Sequence, residues 1–170
     1  MTHLKRYGLV LAIYPNSRGF AFAAFESALS PFDWGVKEVR GAAKNRQCKA
    51  FIAALLERLD PVAVVLQDMS SNGTRRAKRM RELNIDITQL ATRQTIPVFS
   101  YSRAYVRQTF GGSSTTKEAI ARAIARHVPA FERYLPPARK AWMSEDARMG
   151  LFDATALAIA FFRQSSSPEP

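Results

Sequence analysis

A five-stranded mixed α/β sheet flanked by helices is the architecture expected of this 170-residue chain. Three observations carry it. Near the start, three short runs rich in branched and aromatic residues follow one another with only turn residues between them, as a hairpin meander requires. From residue 45 a helical period takes over, and apolar strand-like runs then alternate with helical stretches, which is how parallel strands join a sheet. At 170 residues, 47% of them hydrophobic as in an ordinary globular protein, the chain is long enough for one buried core and too short for two full-sized domains. Residues 1–164 are therefore expected to form one domain, with 165–170 a tail.

The first strand covers residues 8–14, the Pro15-Asn16-Ser17 turn reverses the chain, and the second strand covers 19–25. Residues 33–39, DWGVKEV, alternate as a third strand. Cys48, Phe51, Ile52, Leu55 and Leu59 fall at helical spacing, and Asp60-Pro61 closes that helix. Residues 62–66 are a continuous apolar run, the mark of a strand buried on both faces. Residues 74–83 are basic and helical, Asn84 interrupts them, and 86–94 resume; PVFSY at 97–101 is the fifth strand. A short helix from Ser102, a Gly111-Gly112-Ser113-Ser114 loop and a helix over 116–128 follow, with Thr115 or Thr116 as its N-cap. Residues 129–137 read as a surface loop. Ser144 is the expected cap of a last helix reaching about residue 163, with Glu145 and Asp146 in its first turn as the helix dipole favours. The closing SSSPEP has the composition of a disordered tail.

Lys and Arg number 25 against 14 acids, a net charge of +11, and the pI is near 10.4. That balance points to a polyanionic partner, nucleic acid. A single cysteine, Cys48, excludes an internal disulfide and fits a reducing, cytoplasmic setting. The sequence shows neither a membrane-spanning apolar run nor the apolar stretch of a signal peptide. His3 and His127 offer no metal pair, and no Cys/His cluster, phosphate-binding P-loop or nucleophile elbow occurs, so zinc, nucleotide and serine-hydrolase chemistries lack support.

One segment is more specific than the order of elements. Residues 97–120, PVFSYSRAYVRQTFGGSSTTKEAI, place Val106, Arg107, Gln108, Thr109, Gly111, Gly112 and Lys117 in series; YPNSR lies near the start and FDATALAIA near the end. Together these resemble the RuvC-type Holliday junction resolvases, members of the RNase H-like superfamily, over about residues 8–163. The resemblance implies an RNase H-like (RuvC-like) fold, a homodimer, and a Mg²⁺ or Mn²⁺ site held by four acids. The first of those acids falls on Tyr14 and the second on Gln67, with Asp68 one residue beyond. In a strand that single step turns a side chain to the other face. The last pair falls near Asp153, with Phe152 and Thr155 at the two positions if the Leu-Ala-Ile-Ala tail is matched.

Two-metal phosphodiester cleavage needs several carboxylates to hold two ions roughly 3.5 to 4 Å apart. Here the candidate ligands are Asp68 and Asp153, with Asp146 as a third catalytic candidate. Asp153 is the sole charged residue in GLFDATALAIAFF, so it calls for a partner: an arginine, the Tyr14 hydroxyl or a metal. Arg75, Arg76, Lys78, Arg79 and Arg81, joined by Arg103, Arg107 and Lys117, read as a phosphate track. Three functions are compatible with this pattern: a nucleic-acid-binding protein whose nuclease site has decayed, a metal-dependent endonuclease with rearranged carboxylates, and a non-catalytic scaffold for a protein partner.

Overall fold

A computed structural model describes residues 8–70, 75–112, 114–140 and 142–166, excepting the side chains of Arg75, Arg76 and residues 165–166. Strands β1 (Val10–Asn16), β2 (Gly19–Ser27) and β3 (Ser30–Glu38) form an antiparallel meander. β4 (Ala63–Gln67) lies parallel to β1, and β5 (Val98–Tyr101) lies parallel to β4. The sheet order is β3-β2-β1-β4-β5. The expected five-stranded mixed sheet flanked by helices is what the chain forms.

Alternation along β1 sorts the core into two layers. Leu11 and Ile13 pack with helix α1 (Lys44–Leu59) and helix α2 (Arg75–Arg93), whereas Val10 and Ala12 pack with helices α4 (Lys117–His127) and α5 (Met149–Ser166). Side chains two apart share a face, so Tyr14 falls on the α5 side with Val10 and Ala12. The same rule places Val65 on that side of β4 and Val64 and Leu66 on the other. Gly150 lets α5 come close to the β1–β2 hairpin; a Cβ there would lie 3.0 Å from the Asn16 Nδ2 and 3.1 Å from the Ala21 Cβ.

Several local expectations are corrected. α2 runs unbroken through Asn84, because the Asn84 amide donates to the Gln67 carbonyl at 2.9 Å and this tertiary bond outweighs the poor helix propensity of asparagine. β3 starts at Ser30, three residues earlier than alternation suggests. Residues Pro129–Tyr134 form a 3₁₀ helix that drives Phe131 into the core against Phe25, Trp34 and Phe152. α5 begins at Met149, not after Ser144, since Asp146 closes a tighter turn by accepting from the Arg148 N–H at 2.9 Å. α5 continues to Ser166, into the span expected to be tail; residues 167–170 lie outside the described chain. Among the described residues no helix is long and apolar enough to cross a membrane.

Candidate functional site

The C-terminal ends of β1 and β4 and the first turn and a half of α5 meet over the N-terminus of α4, and there a buried charge cluster forms. Lys117, the first residue of α4, is fixed by the Thr116 cap, whose hydroxyl accepts from the Ala119 N–H at 3.1 Å. The lysine points inward. Its ammonium donates to Asp153 Oδ2 at 3.3 Å and to Glu145 Oε1 at 3.1 Å, and it lies 5.5 Å from the centre of the Tyr14 ring. The side chain of Asp153 is 13% exposed and that of Lys117 23%, so this is a partly desolvated pair, unlike an ordinary surface bridge.

Burial pushes the Asp153 carboxyl up to about 6, against the downward pull of Lys117. Burial pulls the Lys117 ammonium down, but the charges of Asp153, Tyr14 and Glu145 together hold it above its ordinary value. Burial, then the charge on Asp153, raises the Tyr14 phenol. At neutral pH the cluster therefore holds a cation against the Asp153 carboxylate, beside an un-ionised phenol.

Gln67, Arg103 and Arg107 line a small pocket together with Lys117 and Asp153. Asp68 is not part of it. It is exposed at the far side of β4, accepts from the Ser70 N–H at 2.9 Å, and lines a separate cleft with Arg81 and Asn84. Asp146, the other acid considered for catalysis, is held by Arg148 through both carboxylate oxygens at 2.9 and 2.7 Å, and that contact draws its carboxyl down to about 2. Phe152 is core, and the Thr155 hydroxyl is buried without a partner. Among the described residues no group of three or more His, Cys, Asp and Glu side chains could hold a metal.

The structure divides the basic residues. Arg79 is turned inward, donating to Asn45 Oδ1 at 2.9 Å and to the Asn16 carbonyl, so it ties α2 to α1 and to the β1–β2 turn. Lys78 is exposed and lies 3.8 Å from Glu82. Arg81 has a buried Nη1 without a partner. Arg103 and Arg107 sit on helix α3 (Arg103–Thr109), capped by Ser102, and face an open polar cleft of about 460 Å³. That cleft also takes in Lys117, Glu145 and Arg139, a residue that the sequence pattern does not single out. The side chains of Arg75 and Arg76 lie outside the described residues.

The same architecture recurs in known structures. Thermus thermophilus RuvC in complex with a Holliday junction substrate superposes with a TM-score of 0.69 at 19% identity, over 96% of this chain and 99% of that one. The yeast mitochondrial Holliday junction resolvase gives 0.62 at 11% identity, over 95% and 82%, and the Fowlpox virus resolvase in complex with Holliday junction DNA gives 0.57 at 11%, over 91% and 99%. The fold is RuvC-like. No family model matches the sequence, and no curated protein matches it either. On the RuvC-like frame, the Lys117 cluster occupies the sheet end to which the resemblance assigns the catalytic acids.

Proposed function

We propose that this chain is a nucleic-acid-binding protein, with branched DNA as its foremost ligand, on a RuvC-like frame that has lost metal-dependent cleavage. The observation that carries the reading is the Lys117 ammonium, held at 3.3 Å from Asp153 and 3.1 Å from Glu145. Mg²⁺ demands hard oxygen donors in near-octahedral array and keeps its place through carboxylates. Beside Asp153 the chain supplies a phenol at Tyr14 and an amide at Gln67, and a lysine already neutralises the carboxylate. The residues present do not fit a two-ion centre. Binding is supported by the net charge of +11, by Arg103 and Arg107 on an open cleft, and by the recurrence of the fold in resolvases solved with junction DNA.

Labelled four-way junction, duplex and single-stranded DNA should each be titrated at low and moderate salt, then incubated with Mg²⁺ or Mn²⁺. The expected result is salt-sensitive binding, strongest for the junction, with no cutting. Metal-dependent cutting that disappears in Asp153→Asn overturns the loss of catalysis and favours a rearranged endonuclease. Failure to bind any of the three at low salt overturns the nucleic-acid reading altogether and leaves a scaffold.

A further inference from the structure

The loop before α5 carries an aromatic that the core does not use. Trp142 is 79% exposed, far more than any other large hydrophobic side chain among the described residues. An indole left in water forgoes roughly 2 kcal/mol or more of burial, and Tyr and Trp found this way commonly serve a partner that is flat and apolar on one side and polar at the rim. The backbone holds the ring out. The Met143 N–H donates to the Lys140 carbonyl at 3.0 Å, closing a turn, and Arg139 Nε donates to the Met143 carbonyl at 2.7 Å, so Trp142 sits at a turn tip pinned from both sides. One cation lies over it, the Lys140 ammonium 5.7 Å from the ring centre, and Arg139, three residues earlier, lines the cleft with Arg103 and Arg107.

An exposed aromatic plane flanked by positive charges matches a strand in which flat bases alternate with phosphates, since every base has a face to stack and every phosphate seeks a cation. An apolar protein surface matches it poorly, because docking there would desolvate Arg139 and Lys140 without pairing them. We propose that Trp142 stacks on an unpaired base of the bound nucleic acid while Arg139 and Lys140 hold the adjoining phosphates. This rests on the nucleic-acid reading above and deepens it, by placing a contact for unstacked nucleotides three residues from Arg139, which lines the Arg103–Arg107 cleft. A fully paired duplex offers no free base face along its length, so the contact favours junction centres and single strands.

The chain has two tryptophans, and the second, Trp34, is half-buried against Phe131 with ring centres 5.0 Å apart, so a change in indole emission on binding reports on Trp142. Emission of the full chain should be followed while oligothymidylate, four-way junction and blunt duplex are added, in wild type, Trp142→Phe and Trp142→Ala, with affinity measured in parallel by anisotropy of labelled DNA. The expected result is quenching by oligothymidylate and junction but not by duplex. Trp142→Ala should lose that quenching and about ten-fold in affinity for both, while duplex binding stays unchanged and Trp142→Phe keeps most of the affinity. Salt-sensitive DNA binding without quenching, and with Trp142→Ala binding as wild type, overturns the stacking contact and leaves the broader reading standing. Emission that shifts only as the protein itself is concentrated also overturns it, in favour of contact between copies of the chain. Absence of all DNA binding overturns both.

Discussion

Removing Lys117 should be more damaging than its position at a helix end suggests. In Lys117→Met the Asp153 carboxylate stays desolvated and loses its hydrogen-bonded ammonium, with only the more distant charge of Arg103 acting on it, and breaking such a pair from one side costs about 3 kcal/mol. The loss should depend on pH, because Asp153 can take up a proton once its partner has gone. Urea unfolding is expected to show the larger loss near pH 8 and a much smaller one near pH 5, where the carboxyl, already pushed up to about 6 in the intact protein, is largely neutral. Equal losses at both values would contradict the pairing. Asp153 itself predicts a second curve. Its folded value of about 6 exceeds an unfolded value of about 3.9, so the fold favours the neutral acid; the stability this contributes is complete below about pH 3.9 and is lost as pH rises through about 6. Wild type should therefore lose stability relative to Asp153→Asn across that window, on the order of 3 kcal/mol, and a difference that stays flat from pH 4 to 7 would show that the carboxyl is not raised.

At the level of elements, helix starts separate what can be read from sequence from what cannot. Thr116 caps α4 through its own hydroxyl, and Thr116→Ala should lower stability by about 1 kcal/mol in a denaturant melt. Ser144→Ala should change it by only a few tenths, because Ser144 is exposed and α5 starts five residues later at Met149. A result in the opposite order would mean that α5 begins where its sequence first suggests. Ser144 with two following acids has the local signature of a cap, but Arg148 on Asp146 offers a competing turn, and local pattern alone does not rank the two. Asn84 is similar: its partner is the Gln67 carbonyl on a different element, 17 positions away and outside any single helical pattern. The meander, the parallel β4 and β5 and the two-layered core were legible because strand and helix periods are local properties. Strand alternation turns Asp68 away from Gln67's side, and no bulge re-aims it to the site where it was expected as a metal ligand.

Across the whole molecule, charge total was readable while charge placement was not. Sequence clustering grouped Arg79, Lys117 and Arg107 as one track, whereas the fold spends Arg79 on Asn45 and Asn16, and Lys117 on Asp153 and Glu145. Nothing in the sequence pairs Lys117 with Glu145, 28 positions away, and Arg139 reaches the cleft only through the fold. If DNA runs along that cleft, the double variant Arg103→Glu, Arg107→Glu should weaken binding to every sequence and lower the slope of log affinity against log salt by about 2 on duplex. Arg79→Ala should instead lower stability, with affinity and slope per folded molecule unchanged. Fluorescence titrations at several salt concentrations, run beside thermal melts, separate the two effects; a salt slope that falls only in Arg79→Ala would move the phosphate path to α2.

The Lys117 ammonium also changes what the surroundings can do to the molecule. A dissolved ion comes and goes with its concentration, but a charge tethered to the backbone of α4 has a high effective concentration at Asp153 and cannot be diluted away. On the proposed reading, chelators should leave the fold unchanged and magnesium meets a resident competitor. The sheet end should stay set in one arrangement whatever the ionic supply, answering to protons alone.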